Sequence, residues 1–243
     1  HLASLRAIPN LNVYRPCDAV ETAECWAASL ETSSTPSVIS LSRQGLPCLR
    51  TEHTDENLSS KGGYVLTEAV AKRDVTLIAS GSEVTIAMEA YDQLKVEGIS
   101  AAVVSMPCLD KFEEQDQEYR DQVTQPDTPV VVVEAAIEQN WGKYLGRSGK
   151  FIGMNTFGAS GPANELYEHF GITTKNVVII SLAYVVIMLI WTASTRSAVV
   201  QKANDIKANH KVVVEFINNQ VNECSSNDKG TTSWGDNCNS AWI

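Results

Sequence analysis

VTLIASGSEVTIAMEAYDQLKVEGISAAVVSM, residues 75–106, decides the fold. Val75–Ala79 is a mainly apolar run of strand-forming residues, broken only by Thr76, and Ala101–Met106 is another, broken only by Ser105. Between them Ser82 to Glu97 carries the helical pattern, and Gly98 stops it. Apolar runs without polar alternation belong to strands covered on both faces, hence to a parallel or mostly parallel sheet. Strand, helix, strand in this order is the repeating unit of an α/β domain.

The same alternation extends both ways. Toward the carboxyl end, Asp110–Gln122 reads as an acidic helix and Val130–Glu134 (VVVVE) as a third strand. Phe151–Met154 reads as a short fourth strand, and Pro162–Phe170 as a helix halted at Gly171. Toward the amino end, residues 11–15 and 37–42 read as strands flanking a helix, Ala19–Glu31. Asp18 followed by Glu21 resembles a capping box, and Val20, Ala23, Ala27 and Leu30 recur at the spacing of one helix face. Residues 50–63 are polar, end in Lys-Gly-Gly and read as a linker at a domain boundary.

The character changes at Val177. VVIISLAYVVIMLIWTA, residues 177–193, holds 17 residues without a charge, the lower end of a membrane-spanning length; a core helix is the alternative. Val199, Ala203, Ile206, Val213, Ile217 and Val221 continue on one helical stripe. The last residues are polar, and Cys224 and Cys238 could close a disulfide loop there. Lys175 stands alone before the run, whereas Arg196, Lys202, Lys207 and Lys211 follow it, which by the positive-inside rule puts the tail in the cytoplasm and the globular part outside.

Composition excludes some classes. The 243 residues carry a net charge of -10, which argues against a nucleic-acid partner. An apolar fraction of 44% suits a packed globular chain. Cys17, Cys25, Cys48 and Cys108 lack CxxC spacing and read as small buried apolar side chains in a reducing compartment. The four histidines form no ligand cluster, and His53 and His169 read as surface residues. There is no phosphate-binding Gly-rich loop, nucleophile elbow or His/Glu metal signature. The chain opens at His1 with no signal-peptide pattern, which reads as a fragment.

Two groups of motifs carry a resemblance. Arg-Pro-Cys-Asp at 15–18 and Pro-Ser-Val-Ile-Ser-Leu-Ser-Arg-Gln at 36–44 resemble the end of the pyrimidine-binding domain of transketolases. Gly-Gly-Tyr-Val-Leu at 62–66, Ala-Ser-Gly-Ser-Glu-Val at 79–84, Val-Ser-Met-Pro at 104–107, Gly-Met-Asn-Thr-Phe-Gly-Ala-Ser-Gly-Pro at 153–162 and His-Phe-Gly-Ile-Thr at 169–173 resemble that family's C-terminal domain. The resemblance runs in order from residue 1 to about 178.

It implies a fold and a layout: a truncated parallel-sheet pyrimidine-binding domain over 1–49, a linker over 50–63 and a complete three-layer α/β domain over 64–176. A helix, apolar then amphipathic, follows over 177–222, and a polar tail over 223–243. It implies a parent enzyme that moves two-carbon ketol units between phosphorylated sugars, as a homodimer, with thiamine diphosphate and a divalent cation, Mg or Ca. Residues 1–176 would then be cytoplasmic. This chain alone is expected to bind no cofactor and to be inactive, because the segments that hold the cofactor lie upstream in the family.

One functional residue carries over. Arg43 in Leu-Ser-Arg-Gln matches the arginine that binds the sugar phosphate, a role suited to a guanidinium fork at the carboxyl end of a parallel strand. Without the resemblance, a surface arginine in an ion pair is the alternative, and Gln44 is a weaker neighbour. Ser80, Gly81, Ser82 and Glu83 form either an anion site at a helix start or a helix cap. Glu134 reads as a structural carboxylate, and no catalytic residue or metal ligand is assigned. Two alternatives remain: a part of another thiamine enzyme, such as deoxyxylulose-phosphate synthase or a 2-oxoacid dehydrogenase beta subunit, and a membrane-anchored structural protein whose tail resembles a type IV pilin-like subunit.

Overall fold

The structure, a computed structural model, describes residues 1–146 and 149–226. Residues His1–Val186 form one compact unit, and the described remainder continues the last helix. Two sheets lie in the first unit. The smaller pairs β1 (Asn12–Tyr14) with β2 (Ser37–Ile39) in parallel. The larger has five strands in the order β3 (Tyr64–Thr67), β5 (Ala101–Ser105), β4 (Val75–Ala79), β6 (Val130–Val133), β7 (Lys150–Ile152). All its pairings are parallel except β3 with β5, so an antiparallel edge strand, not foreseen from the pattern, closes one side.

Side chains on successive strand residues point to opposite faces, and here both faces are buried. Val75, Leu77, Ala79, Val103, Val131 and Val133 pack into one cluster with α3 (Glu83–Val96). Ile78, Val104, Val130 and Val132 pack into the other, under α4 (Leu109–Glu113), α5 (Gln117–Thr124) and α6 (Gly142–Leu145). This is the expected three-layer arrangement. The single acidic helix expected over 110–122 is two, because Asp116 takes an extended N-cap conformation and its carboxylate accepts the N–H of Tyr119 at 2.7 Å.

Helices α3 and α7 (Ala163–Phe170) stop where glycine allows a left-handed turn. Gly98 has φ 78° and Ile99 N–H bonds back to the Leu94 carbonyl; Gly171 has φ 69° and Ile172 N–H bonds back to the Tyr167 carbonyl. A short helix not read from the sequence, α1 (Leu2–Arg6), buries Ala3 and Arg6.

The helix α2 (Ala19–Glu31) corrects two expectations. Asp18 caps it as foreseen, accepting Glu21 N–H at 2.8 Å. Glu21 does not return the bond to Asp18: its Oε2 accepts Cys17 N–H, while Oε1 accepts the hydroxyls of Tyr64 and Ser105. The buried face is therefore Glu21, Cys25 and Ala28, and Val20, Ala23, Ala27 and Leu30 are exposed. A polar side chain with three hydrogen-bond partners takes the inner face, and the apolar stripe faces outward.

Residues 50–63 are not a free linker. Ser59 bonds Glu24 through its N–H and hydroxyl, and Asn57 bonds the Glu24 carbonyl, so the 3-10 turn Leu58–Lys61 lies against α2. Of the four expected buried cysteines, Cys48 is exposed, while Cys17, Cys25 and Cys108 are buried.

The last helix, α8, runs Thr174–Ser226. Val177, Ser181, Tyr184 and Val185 are buried in the first unit, where Val177 and Val185 complete the α3-side cluster. From Ile187 to Thr192 all but Met188 are exposed. Of the later apolar stripe, Ile206 is exposed at 61%, and the side chains of the other five fall outside the described residues. Cys238 also lies outside them, and with it the proposed pairing to Cys224.

Candidate functional site

The carboxyl ends of the two sheets meet at Arg15, the residue after β1. Its N–H donates to the Pro107 carbonyl at 2.7 Å and its carbonyl accepts Gly81 N–H at 2.9 Å, tying β1 to the loops that follow β5 and β4. Gly81 has φ 59°, and a Cβ there would lie 3.0 Å from the Arg15 guanidinium. Both the backbone conformation and the approach of the arginine require glycine.

The guanidinium then enters a buried cluster. Arg15 Nη1 donates to Glu83 at 2.8 Å, to Glu134 at 3.1 Å and to the Ser80 hydroxyl at 3.1 Å. Arg6, from α1, grips Glu134 with two bonds of 2.8 and 2.7 Å, and Trp141 Nε1 adds a third at 2.7 Å. Glu83 also accepts Ala135 N–H and the hydroxyls of Ser82 and Tyr167. Both carboxylates are fully buried, and two cations balance two anions. Burial pushes the Glu134 carboxyl up, but Arg6 first, then Arg15 and Ser80, overcome this and hold it at about 2.

Residues 80–83 are thus spent on the fold. The Ser80 hydroxyl donates to Glu134 at 2.5 Å, Gly81 N–H goes to Arg15, and the Ser82 hydroxyl goes to Glu83. Ser82 stands at the N-cap position of α3 without a side-chain bond to the helix backbone. The negative charge favoured at a helix start is supplied from inside, by Glu83.

The accessible chemistry lies next to this cluster. Past the end of β2, Arg43 is exposed, and among the described ion pairs and hydrogen bonds it has none. Gln44 lines a groove of about 760 Å³ that runs between Gly45–Pro47, the first turns of α3 and the start of α7. Gln44 Nε2 reaches the Tyr167 hydroxyl at 3.4 Å, which donates to Glu83 at 2.8 Å. The groove wall is therefore hydrogen-bonded to the buried cluster. An exposed guanidinium at a strand's carboxyl end suits an anionic ligand. Among the described residues no three His, Cys, Asp or Glu side chains converge as metal ligands.

Sequence reasoning singled out Arg43, Gln44, residues 80–83 and Glu134, and missed Arg6, Arg15 and Tyr167 as parts of one assembly. A signal was there: an arginine closing each of two short apolar elements and a glutamate closing a third demand partners when buried.

Known proteins match this chain over the described sheets. Residues 1–47 match the family model "Transketolase, pyrimidine binding domain", and residues 62–173 match "Transketolase-like TK C-terminal domain". A transketolase of Sinorhizobium medicae is 55% identical over 179 residues, 73% of this chain and 26% of that protein. A solved transketolase of Pichia stipitis in complex with sedoheptulose 7-phosphate is 36% identical with a TM-score of 0.69, over 76% of this chain and 27% of that one. A split-gene transketolase solved as an inactive β4 tetramer is 27% identical with a TM-score of 0.63, over 76% of this chain and 61% of that one. The chain spans about a quarter of the length of the curated relatives it matches.

Proposed function

The chain belongs to the transketolase family, and from that premise we propose that it is the carboxyl-terminal part of an enzyme that moves two-carbon ketol units between phosphorylated sugars, with Arg43 holding the sugar phosphate. One observation carries the role of Arg43: its guanidinium is exposed at the carboxyl end of β2, beside the groove that Gln44 lines, with no carboxylate paired to it among the described residues. The sugar phosphate bound to the Pichia stipitis relative supports the ligand class.

The family uses thiamine diphosphate and a divalent cation. The residues present here do not fit them. Glu83 and Glu134 are consumed by arginines, and no metal-ligand cluster exists among the described residues. On this proposal the chain alone is inactive. The split-gene relative, solved as an inactive tetramer, supports that proposal.

The test is a graft. Residues 1–173 replace the matching segment of the Sinorhizobium medicae transketolase, and Arg43→Ala is made in the chimera. Expected is a rise of at least tenfold in KM for a phosphorylated sugar, with little change for an unphosphorylated one. An equal effect on both sugars removes Arg43 from the phosphate site.

A homodimer belongs to the same reading. The exposed apolar side chains Val20, Trp26 and Leu30 on α2 support a further protein surface there, and sedimentation of the chimera tests it. A cytoplasmic location for residues 1–176 goes with a sugar-phosphate substrate, and it opposes the order of basic residues around the apolar run, which places the tail there instead. The matches to transketolases favour this function over a pilin-like scaffold. The apolar run in α8 lies beyond both family models, and its length and lack of charge suit a membrane span.

A further inference from the structure

Lys175 and Arg196 bracket residues 176–195, twenty positions without a charge. At 1.5 Å per residue that helix is about 30 Å long, the thickness of a bilayer's hydrocarbon core. Length and flanking charges therefore name lipid as the occupant that suits the whole run.

The packing of the same residues is incompatible with that position. Val177, Ser181, Tyr184 and Val185 are buried on the α/β core, and Val178, Ile180 and Leu182 pack beside them. The ten residues of the run past Val185 give only about 15 Å of helix, half the required length. The docked position is itself imperfect: the hydroxyls of Ser181 and Tyr184 are buried there without a hydrogen-bond partner. On the opposite side Ile179, Val186 and Ile190 are at least half exposed, an apolar face left open among the described residues.

We propose that the first three turns of α8 occupy two mutually exclusive places, the α/β core and the interior of a bilayer, so that membrane insertion uncovers the α3 side of the five-stranded sheet. This rests on reading 176–195 as a span and adds the coupling between span and core.

The test uses the full chain with vesicles of phosphatidylcholine and phosphatidylglycerol, followed by flotation and by hydrogen exchange of β4 and α3. Expected are flotation and faster exchange in both elements when vesicles are present. Val186→Arg places a charge at the centre of the span, on a side chain 51% exposed in the docked form. It is expected to lower vesicle binding roughly a hundredfold while leaving exchange of the unbound chain unchanged. Flotation with unaltered exchange in β4 and α3 overturns the coupling and leaves the span. Absence of flotation overturns the span and the coupling together. Self-association without flotation, abolished by Val186→Arg, assigns the face to a second copy and overturns both.

Discussion

Arg15 and Glu83 meet at 2.8 Å, one at the end of the small sheet and the other at the start of the helix that follows β4, the central strand of the large sheet. Their pairing, closed by Glu134 and Arg6, joins the two sheets at their carboxyl ends and holds Tyr167 toward Gln44. A fully buried charge cannot be left alone cheaply. Arg15→Met is expected to cost about 3–5 kcal/mol, and adding Glu83→Gln is expected to recover part of it. Urea denaturation of the two single variants and the double variant measures the coupling. Simple additivity removes the pair as a joint between the sheets.

Gly81 tests the approach of the arginine. Gly81→Ala meets both a left-handed φ and the guanidinium, and is expected to cost about 2 kcal/mol. In an Arg15→Ala background only the backbone part of that cost remains. An unchanged cost in the two backgrounds places the strain in the turn alone.

Two buried glutamates give opposite pH dependences. Glu134 is held at about 2, below its ordinary 4.5, so its contribution is present above pH 4.5 and is lost as pH falls toward 2. Glu21 is raised by burial, against the hydrogen bonds from Ser105 and Tyr64, so its contribution is present below pH 4.5 and is lost as pH rises. Glu21→Gln should therefore gain stability relative to the parent between pH 4 and pH 8. Denaturation midpoints at the two pH values read the sign, and a relative loss at pH 8 contradicts it.

The position of a truncation within α8 matters. Ending the chain at Val178 strips Tyr184 and Val185 from the core, at a cost of roughly 3–5 kcal/mol from two buried side chains. Ending it at Val186 keeps them. Thermal unfolding of the two truncations is expected to separate them by several degrees. Equal midpoints show that the docked turns contribute nothing.

Much of this was legible along the chain. The six strands of the parallel pairings, with α2, α3 and α7, follow from apolar runs, the Asp18 cap and glycine stops, because those signals are local. The interior of residues 80–83 was not legible: the same Ser-Gly-Ser-Glu spells a free anion site or a filled one, depending on whether an arginine arrives from 65 residues away. The face of α2 misled for a related reason. Val20, Ala23, Ala27 and Leu30 have the period of a buried stripe, yet Tyr64 and Ser105 draw Glu21 inward.

Sequence by itself determined the strands of the parallel pairings and most of the helices, that the large sheet is covered on both faces, and that a charge-free helix follows it. Only the tertiary structure decided which carboxylates are consumed by Arg6 and Arg15, that Arg43 stands unpaired among the described residues, and that the first turns of the apolar helix lie on the core. Periodicity and propensity act between residues a few positions apart, whereas charge pairing and burial are settled by groups that only folding brings within 3 Å of each other.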